Sequence, residues 1–136
     1  MASLLSGEID IVTDAPVQDL KRIDSSAGHT VNSVEQMRTI FLGMDQGSAE
    51  LRSSNIKGKN PLADKRVRQA FYQAIDIEAI KKKVMRGLSS PAGIITFPGV
   101  TGYTKDLDAR LAYDPDASKK LLADAGYGDG FDITLN

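Results

Sequence analysis

The sequence has no cysteine, no tryptophan and a single histidine among its 136 residues. Without cysteine there can be no disulfide, thiol catalysis or thiolate metal ligand in the chain, and the redox compartment stays open. One histidine without an HExxH pattern cannot form a zinc site or a Cys–His pair. The glycines occur singly, without GxGxxG or GxxxxGK, so phosphate binding has no support. We therefore predict no metal, no cofactor and no catalytic residue, and we interpret His29 as an ordinary loop residue.

An excess of charge of one sign and a long apolar run are also missing. The 17 Lys and Arg nearly balance the 18 Asp and Glu, so no strong electrostatic field attracts nucleic acid. No apolar run approaches the roughly 18 residues that span a bilayer. The first residues lack the basic start and apolar middle of a secretory signal. With 41% hydrophobic and 26% charged residues, the composition is typical of one globular domain or part of a larger one.

Short apolar segments rich in β-branched residues predict a strand component. The predicted strands are residues 8–12, 30–34, 39–44 and 131–135, and residues 93–97 have some strand character. Residues 39–44 are almost continuously apolar, as in strands covered on both faces, so we expect them to be the most buried segment. The polar, glycine-bearing stretch 45–60 is predicted to be a loop, and so is most of the proline- and glycine-containing stretch 88–113 around residues 93–97.

Capping residues and apolar spacing predict the helices. Residues 2–5 before Ser6-Gly7 are interpreted as the last turn of a helix, and residues 17–23 as a short helix after Pro16. Asp64 is a candidate N-cap for a helix with one apolar stripe. That stripe comprises Val67, Ala70, Phe71, Ala74 and Ile75.

Two further helices follow from the same signals. Asp76 is predicted to cap a helix that ends at Gly87, and its apolar residues are expected to point inward. Those residues are Ile77, Ile80 and Val84, whereas Lys81, Lys82 and Lys83 are expected to face solvent. Asp114-Pro115 predicts the start of a third helix, and Gly126 its end.

One long motif resembles a known family. Residues 60–76 read NPLADKRVRQAFYQAID and resemble the NP-x-x-D-x-R-V-R-x-A-x-x-x-A-I-D motif of the family 5 (peptide and nickel type) extracytoplasmic solute-binding proteins. Three further stretches resemble the same family in the same order, namely residues 5–11, residues 41–45, and residues 113–115 with 119–126 and 131–135. The resemblance implies an α/β chain, a fragment of a two-lobed periplasmic-binding-protein type II fold with helices packed on a small mixed sheet.

The resemblance also implies a domain division and a function. Residues 1–40 would close the first lobe, and residues 41–136 would form the hinge-crossing strand and the first part of the second lobe, so both ends of the chain are expected to be truncated. The parent protein would be a periplasmic or membrane-anchored extracytoplasmic receptor and not an enzyme. It would capture peptides or similar small solutes by lobe closure and deliver them to the permease subunits of an ABC importer.

The ligand contacts that the resemblance places inside this chain lie on the inter-lobe strand. The candidates are Ile40, Phe41, Gly43 and Met44. Phe41 alone stands where the family commonly has two adjacent aromatic residues, which leaves the solute class open. The acidic residue and the arginine that hold a peptide's termini in the family come from segments beyond residue 136.

Two alternatives to a transport receptor remain open. An enzyme or regulatory domain could use carboxylates near strand ends, such as Asp10 and Asp14. Alternatively, the chain could be a structural or interaction fragment that binds no ligand and self-associates through uncovered apolar strand edges.

Overall fold

The computed structural model describes residues 1–135, and the regular structure in that range is helical. Its elements in chain order are α1 (Ala2–Leu5), α2 (Val17–Asp24), a 3₁₀ turn (Pro61–Ala63), α3 (Lys65–Ala74), α4 (Ile77–Ala79), a π-helical turn (Ile80–Val84) and α5 (Pro115–Asp124). No helix in this range has the length and apolar character that crossing a membrane requires.

The chain divides into two compact units. Unit 1 comprises residues 1–38 and 78–91, and unit 2 comprises residues 39–77 and those from Ala92 onward. The assignment of residues 1–40 and 41–136 to two lobes of a larger protein stays a prediction.

The predicted mixed sheet is wrong, because no strand is present among residues 1–135. A strand is stable only when its backbone groups pair with those of a neighbour, and among residues 1–135 the backbones of the predicted segments form no ladder with one another. The nearest approach to a sheet is an isolated antiparallel bridge between Ser54 and Ile133. Residues 39–44 are also not the most buried segment, since Ile40 is 81% exposed and Phe41 is 62% exposed.

The helix boundaries agree with the capping signals. The Asp64 carboxylate accepts a hydrogen bond from the Arg66 amide at the start of α3, and the Asp114 carboxylate accepts one from the Ala117 amide at the start of α5. Gly126 ends α5 with φ +85°, a conformation that side chains other than glycine rarely adopt. These short-range signals are sufficient because a cap satisfies orphan amides of its own helix.

The helix predicted after Asp76 is only partly as expected. It forms as α4 and the π-helical turn rather than as one regular α-helix. The inward orientation predicted for Ile80 and Val84 is wrong, because both side chains are exposed. Their spacing is helical, but spacing alone does not determine how much of that face a neighbouring segment covers, and Ile80 stays 38% and Val84 61% exposed.

Unit 2 contains the larger core. Leu51, Leu62 and Val67 form its buried cluster. Partly buried residues pack around that cluster, namely Met44, Phe71, Leu122, Ala125, Tyr127 and Phe131. In unit 1, Leu4 of α1 and Ile23 of α2 are the buried apolar residues.

Candidate functional site

The residues of the NPLADKRVR motif have structural roles in unit 2. The buried Asn60 side chain accepts a hydrogen bond of 2.9 Å from the Leu62 amide and donates bonds of 3.0 Å to the carbonyls of Asp45 and Ser48. Asn60 therefore ties the start of the 3₁₀ turn to the segment that precedes it.

The two arginines of the motif bind backbone carbonyls. The Arg66 guanidinium pairs with Asp64 at 2.6 Å and also donates to the Asp124 carbonyl at the end of α5. The hydrogen bond from Arg66 is the main cause that lowers the pKa of the Asp64 carboxyl. Arg68 donates to the carbonyls of Leu62 and Ala63, so Arg66 connects α3 to the end of α5 and Arg68 connects it to the 3₁₀ turn.

The candidate solute-contact segment is the apolar stretch 40–43. Ile40, Phe41 and Gly43 are exposed, whereas Met44 is half-buried and packs against the core of unit 2. The first three candidates thus lie on an accessible stretch of chain, and Met44, which follows them directly, differs from them in being partly covered by the core. Their role in solute binding stays a prediction.

This exposed segment is held at both ends. At its start, the Thr39 hydroxyl donates a hydrogen bond of 2.9 Å to the Ile95 carbonyl. At its end, Asp45 accepts two backbone hydrogen bonds of 3.0 Å, from Gly47 and Ser48, and its carbonyl accepts from Asn60. Hydrogen bonds from Ser48 are the main cause that lowers the pKa of Asp45. An apolar segment fixed at both ends loses little conformational entropy when a ligand covers it.

The partner of Thr39 belongs to a loop that we call the Asp108 loop, residues 92–110. The Asp108 carboxylate accepts hydrogen bonds of 2.6 Å from the Gly93 amide and 3.0 Å from the Tyr103 hydroxyl. These bonds, that of Gly93 first, lower the pKa of Asp108. The same contact raises the pKa of Tyr103, because a hydroxyl that donates to a carboxylate ionises less readily.

The Asp108 loop is also attached to α3. The Arg110 guanidinium donates to the Ala92 carbonyl and lies 4.6 Å from the centroid of the Tyr72 ring. Sequence reasoning missed Thr39, Gly93, Asp108 and Arg110 as residues that support the candidate site. No periodicity or cap signals them, since each acts on a partner that is distant in sequence.

The other candidates are less organised. The His29 ring nitrogens lie 3.0 and 3.1 Å from the carbonyls of Ala27 and Leu4, which agrees with an ordinary loop histidine. An open groove of about 300 Å³ in unit 1 is lined partly by Leu20, Lys21 and Asp24. Within residues 1–135, no cluster of His, Asp or Glu could hold a metal ion.

Comparison with known proteins places this geometry in context. The dipeptide-binding protein of Escherichia coli (strain K12) is 40% identical over 77 residues, which cover 57% of this chain and 14% of the relative. The heme-binding protein A of Haemophilus influenzae is 26% identical over 131 residues, or 96% and 22% of the two chains. An oligopeptide-binding protein of Lactococcus lactis subsp. lactis is 28% identical over 148 aligned residues, or 99% and 25%.

This chain therefore spans a quarter or less of the length of these relatives. The match to the family described as "Bacterial extracellular solute-binding proteins, family 5 Middle" covers residues 1–136. Because that match extends over the whole sequence, the chain belongs to family 5 of the bacterial extracellular solute-binding proteins.

Proposed function

We propose that this chain is part of an extracytoplasmic receptor that captures short peptides or similar small solutes and delivers them to the permease subunits of an ABC importer. Two of the three relatives above are named for binding dipeptides or oligopeptides, which supports a peptide as the solute. The observation that carries the proposal is the exposed apolar segment 40–43, fixed at Thr39 and Asp45, in a chain that belongs to this family along its whole length.

The mechanism follows from contacts that are formed only when the receptor closes. Residues 1–40 would contribute to the first lobe and residues 41–136 to the hinge crossing and the second lobe. Solute bound between the lobes would cover Ile40 and Phe41 and shift the equilibrium towards the closed form. No bond of the solute is broken, so no nucleophile or general base is required.

The candidate residues divide the work of binding. Ile40 and Phe41 would supply apolar contact area. Gly43 has open space where a Cβ would stand, so the main chain of a peptide can approach its backbone closely. Met44 would anchor the segment in the core of unit 2 rather than touch the solute.

The receptor proposal is tested by calorimetric titration of a receptor of the relatives' length that carries this chain, with leucylleucine, an oligopeptide and hemin as solutes. We expect a stoichiometric complex with at least one peptide. Phe41→Ala should weaken it about tenfold, because roughly 1–2 kcal/mol of apolar contact is lost. Val84→Ala is the matched control, because Val84 is 61% exposed but lies in unit 1.

Incubation of the same protein with peptide distinguishes a receptor from an enzyme. Asp10 and Asp14 are exposed in unit 1, and conversion to Asn would abolish turnover if these carboxylates carried chemistry. We expect the peptide to be recovered unchanged after prolonged incubation with the unsubstituted protein. If the unsubstituted protein cleaves the peptide and Asp10→Asn or Asp14→Asn abolishes that cleavage, an enzymatic function replaces the receptor proposal.

A further inference from the structure

The Asp108 loop places the backbone of a residue with an exposed apolar side chain next to the start of the proposed solute-contact segment. Ile95 is 60% exposed, and its carbonyl accepts the hydrogen bond from the Thr39 hydroxyl. Thr39 directly precedes Ile40, so the backbone of Ile95 is fixed next to the start of the segment. We propose that Ile95 determines the specificity of this site for solutes with a large apolar side chain, and that Asp108 positions Ile95. The inference rests on the proposed function.

The loop is held as a defined structure by contacts at both of its ends. Asp108 binds the Gly93 amide, two residues before Ile95, and a Cβ at Gly93 would lie 2.5 Å from the Asp108 carbonyl oxygen. Arg110 closes the base of the loop through the Ala92 carbonyl and lies over Tyr72 of α3. A side chain on a loop held in this way is pre-organised, which improves discrimination between ligands.

The solute class follows from the side chains that are offered. Residues 40–43 and Ile95 carry no charge and no side-chain hydrogen-bonding group. Such a surface gains free energy by covering aliphatic or aromatic groups, and it cannot compensate the desolvation of a charged side chain. A short peptide with leucine-sized side chains therefore fits this surface better than one with small or charged side chains.

The test compares two dipeptides on the receptor that carries this chain. We expect unsubstituted protein to bind leucylleucine more tightly than alanylalanine, and Ile95→Ala to reduce that preference about tenfold. Leu107→Ala is the matched control: Leu107 lies in the same loop and is 61% exposed, and its replacement should leave the preference unchanged. Equal effects of the two substitutions overturn the assignment of Ile95.

Asp108 is tested by a pair of variants. Asp108→Ala should lower the preference for leucylleucine over alanylalanine and speed hydrogen exchange at the Gly93 amide. Asp108→Asn keeps an acceptor for that amide, so it should retain most of the preference and most of the protection from exchange. Faster exchange with an unchanged preference would reduce Asp108 to a structural residue and overturn its positioning role. If unsubstituted protein binds neither the two dipeptides nor the oligopeptide, the proposed function fails. If it binds both dipeptides and Ile95→Ala leaves the preference unchanged, only the inference about Ile95 fails.

Discussion

The hydroxyl of Ser118 on α5 donates a hydrogen bond of 2.7 Å to the carbonyl of Ala70 on α3. Both residues are buried, and their small side chains allow the two helices to approach closely. The Ala70 carbonyl thus accepts a hydrogen bond from a different helix. The contact joins α3 to α5 without any charged group.

Ser118→Ala should lower the free energy of unfolding by about 1 kcal/mol, because one buried hydrogen bond is lost without a large cavity. Ser118→Val should lower it by roughly 1–3 kcal/mol, because it overpacks the same site. Urea denaturation measures both. Ser25→Ala is the control, since the Ser25 hydroxyl also binds a helix carbonyl, that of Arg22, but in solvent. A loss for Ser118→Ala no larger than that for Ser25→Ala would show that the interhelical bond contributes nothing.

Asn60→Ala should lower the free energy of unfolding by more than the removal of one small side chain would suggest. The substitution leaves the Leu62 amide and the carbonyls of Asp45 and Ser48 without their partner, and we expect a loss of about 3 kcal/mol. Asn55 provides the comparison, because its amide exchanges two hydrogen bonds with Asp132 at the surface. Asn55→Ala should cost well under half as much in a thermal melt, and equal losses would contradict the importance of burial.

The helices were predictable because their signals are local. Asp64 and Asp114 cap the helices in which they lie, so a few neighbouring residues contain the required information. The strand predictions were wrong, because an alternating apolar pattern indicates only which face of a strand could be covered. It does not indicate whether a second strand is present to pair with it. Ile40 and Phe41 show the difference, since their apolar run predicts burial and the structure exposes them.

The candidate site was partly predictable for a similar reason. Family resemblance indicated residues 40–44, but the contacts that hold them depend on Thr39 meeting Ile95 across 56 positions of sequence. The Asp108 loop lies in a stretch that was predicted mostly as a loop, with strand character at residues 93–97. The hydrogen bond between the Gly93 amide and the Asp108 carboxylate joins residues 15 positions apart, and no periodic pattern in the sequence indicates it.

Acid should weaken unit 2 through Asp64. Its pKa lies below the ordinary value of 3.8, mainly because the Arg66 side chain donates a hydrogen bond to the ionised carboxylate. A group whose pKa is lowered by folding stabilises the protein above the unfolded-state pKa, and that contribution is lost as pH falls through the lower folded-state pKa. The stability from this pair should therefore be complete above about pH 5 and decline below about pH 4.

The pH dependence is checked by urea denaturation at pH 7, 4 and 3. Asp64→Asn keeps an N-cap acceptor but cannot form the ion pair, so it should be less stable than unsubstituted protein at pH 7, with a difference that narrows towards pH 3. Asp116→Asn is the control, because Asp116 meets Lys119 only at 4.0 Å in solvent. A difference for Asp64→Asn that stays constant with pH would contradict this origin.

Gly93→Ala tests the close approach on which the Asp108 loop depends. The added Cβ would lie 2.5 Å from the Asp108 carbonyl oxygen and 2.8 Å from its carbonyl carbon, and backbone atoms cannot move aside as the end of a side chain can. The Gly93 amide should therefore lose its bond to the Asp108 carboxylate. We expect the free energy of unfolding to fall by roughly 1–3 kcal/mol, as for other overpacked sites.

Gly128→Ala is the matched control for the same measurement. A Cβ at Gly128 would meet the Ala123 side chain at 3.6 Å, an ordinary van der Waals contact. In Gly93→Ala, hydrogen exchange should also be faster at position 93 and around Ile95, because one hydrogen bond, from the position 93 amide to Asp108, holds this part of the loop. Equal stability of the two variants would mean that the loop backbone shifts to accommodate the added Cβ without loss of stability. The position of Ile95 beside Thr39 would then depend on the Arg110 contacts instead.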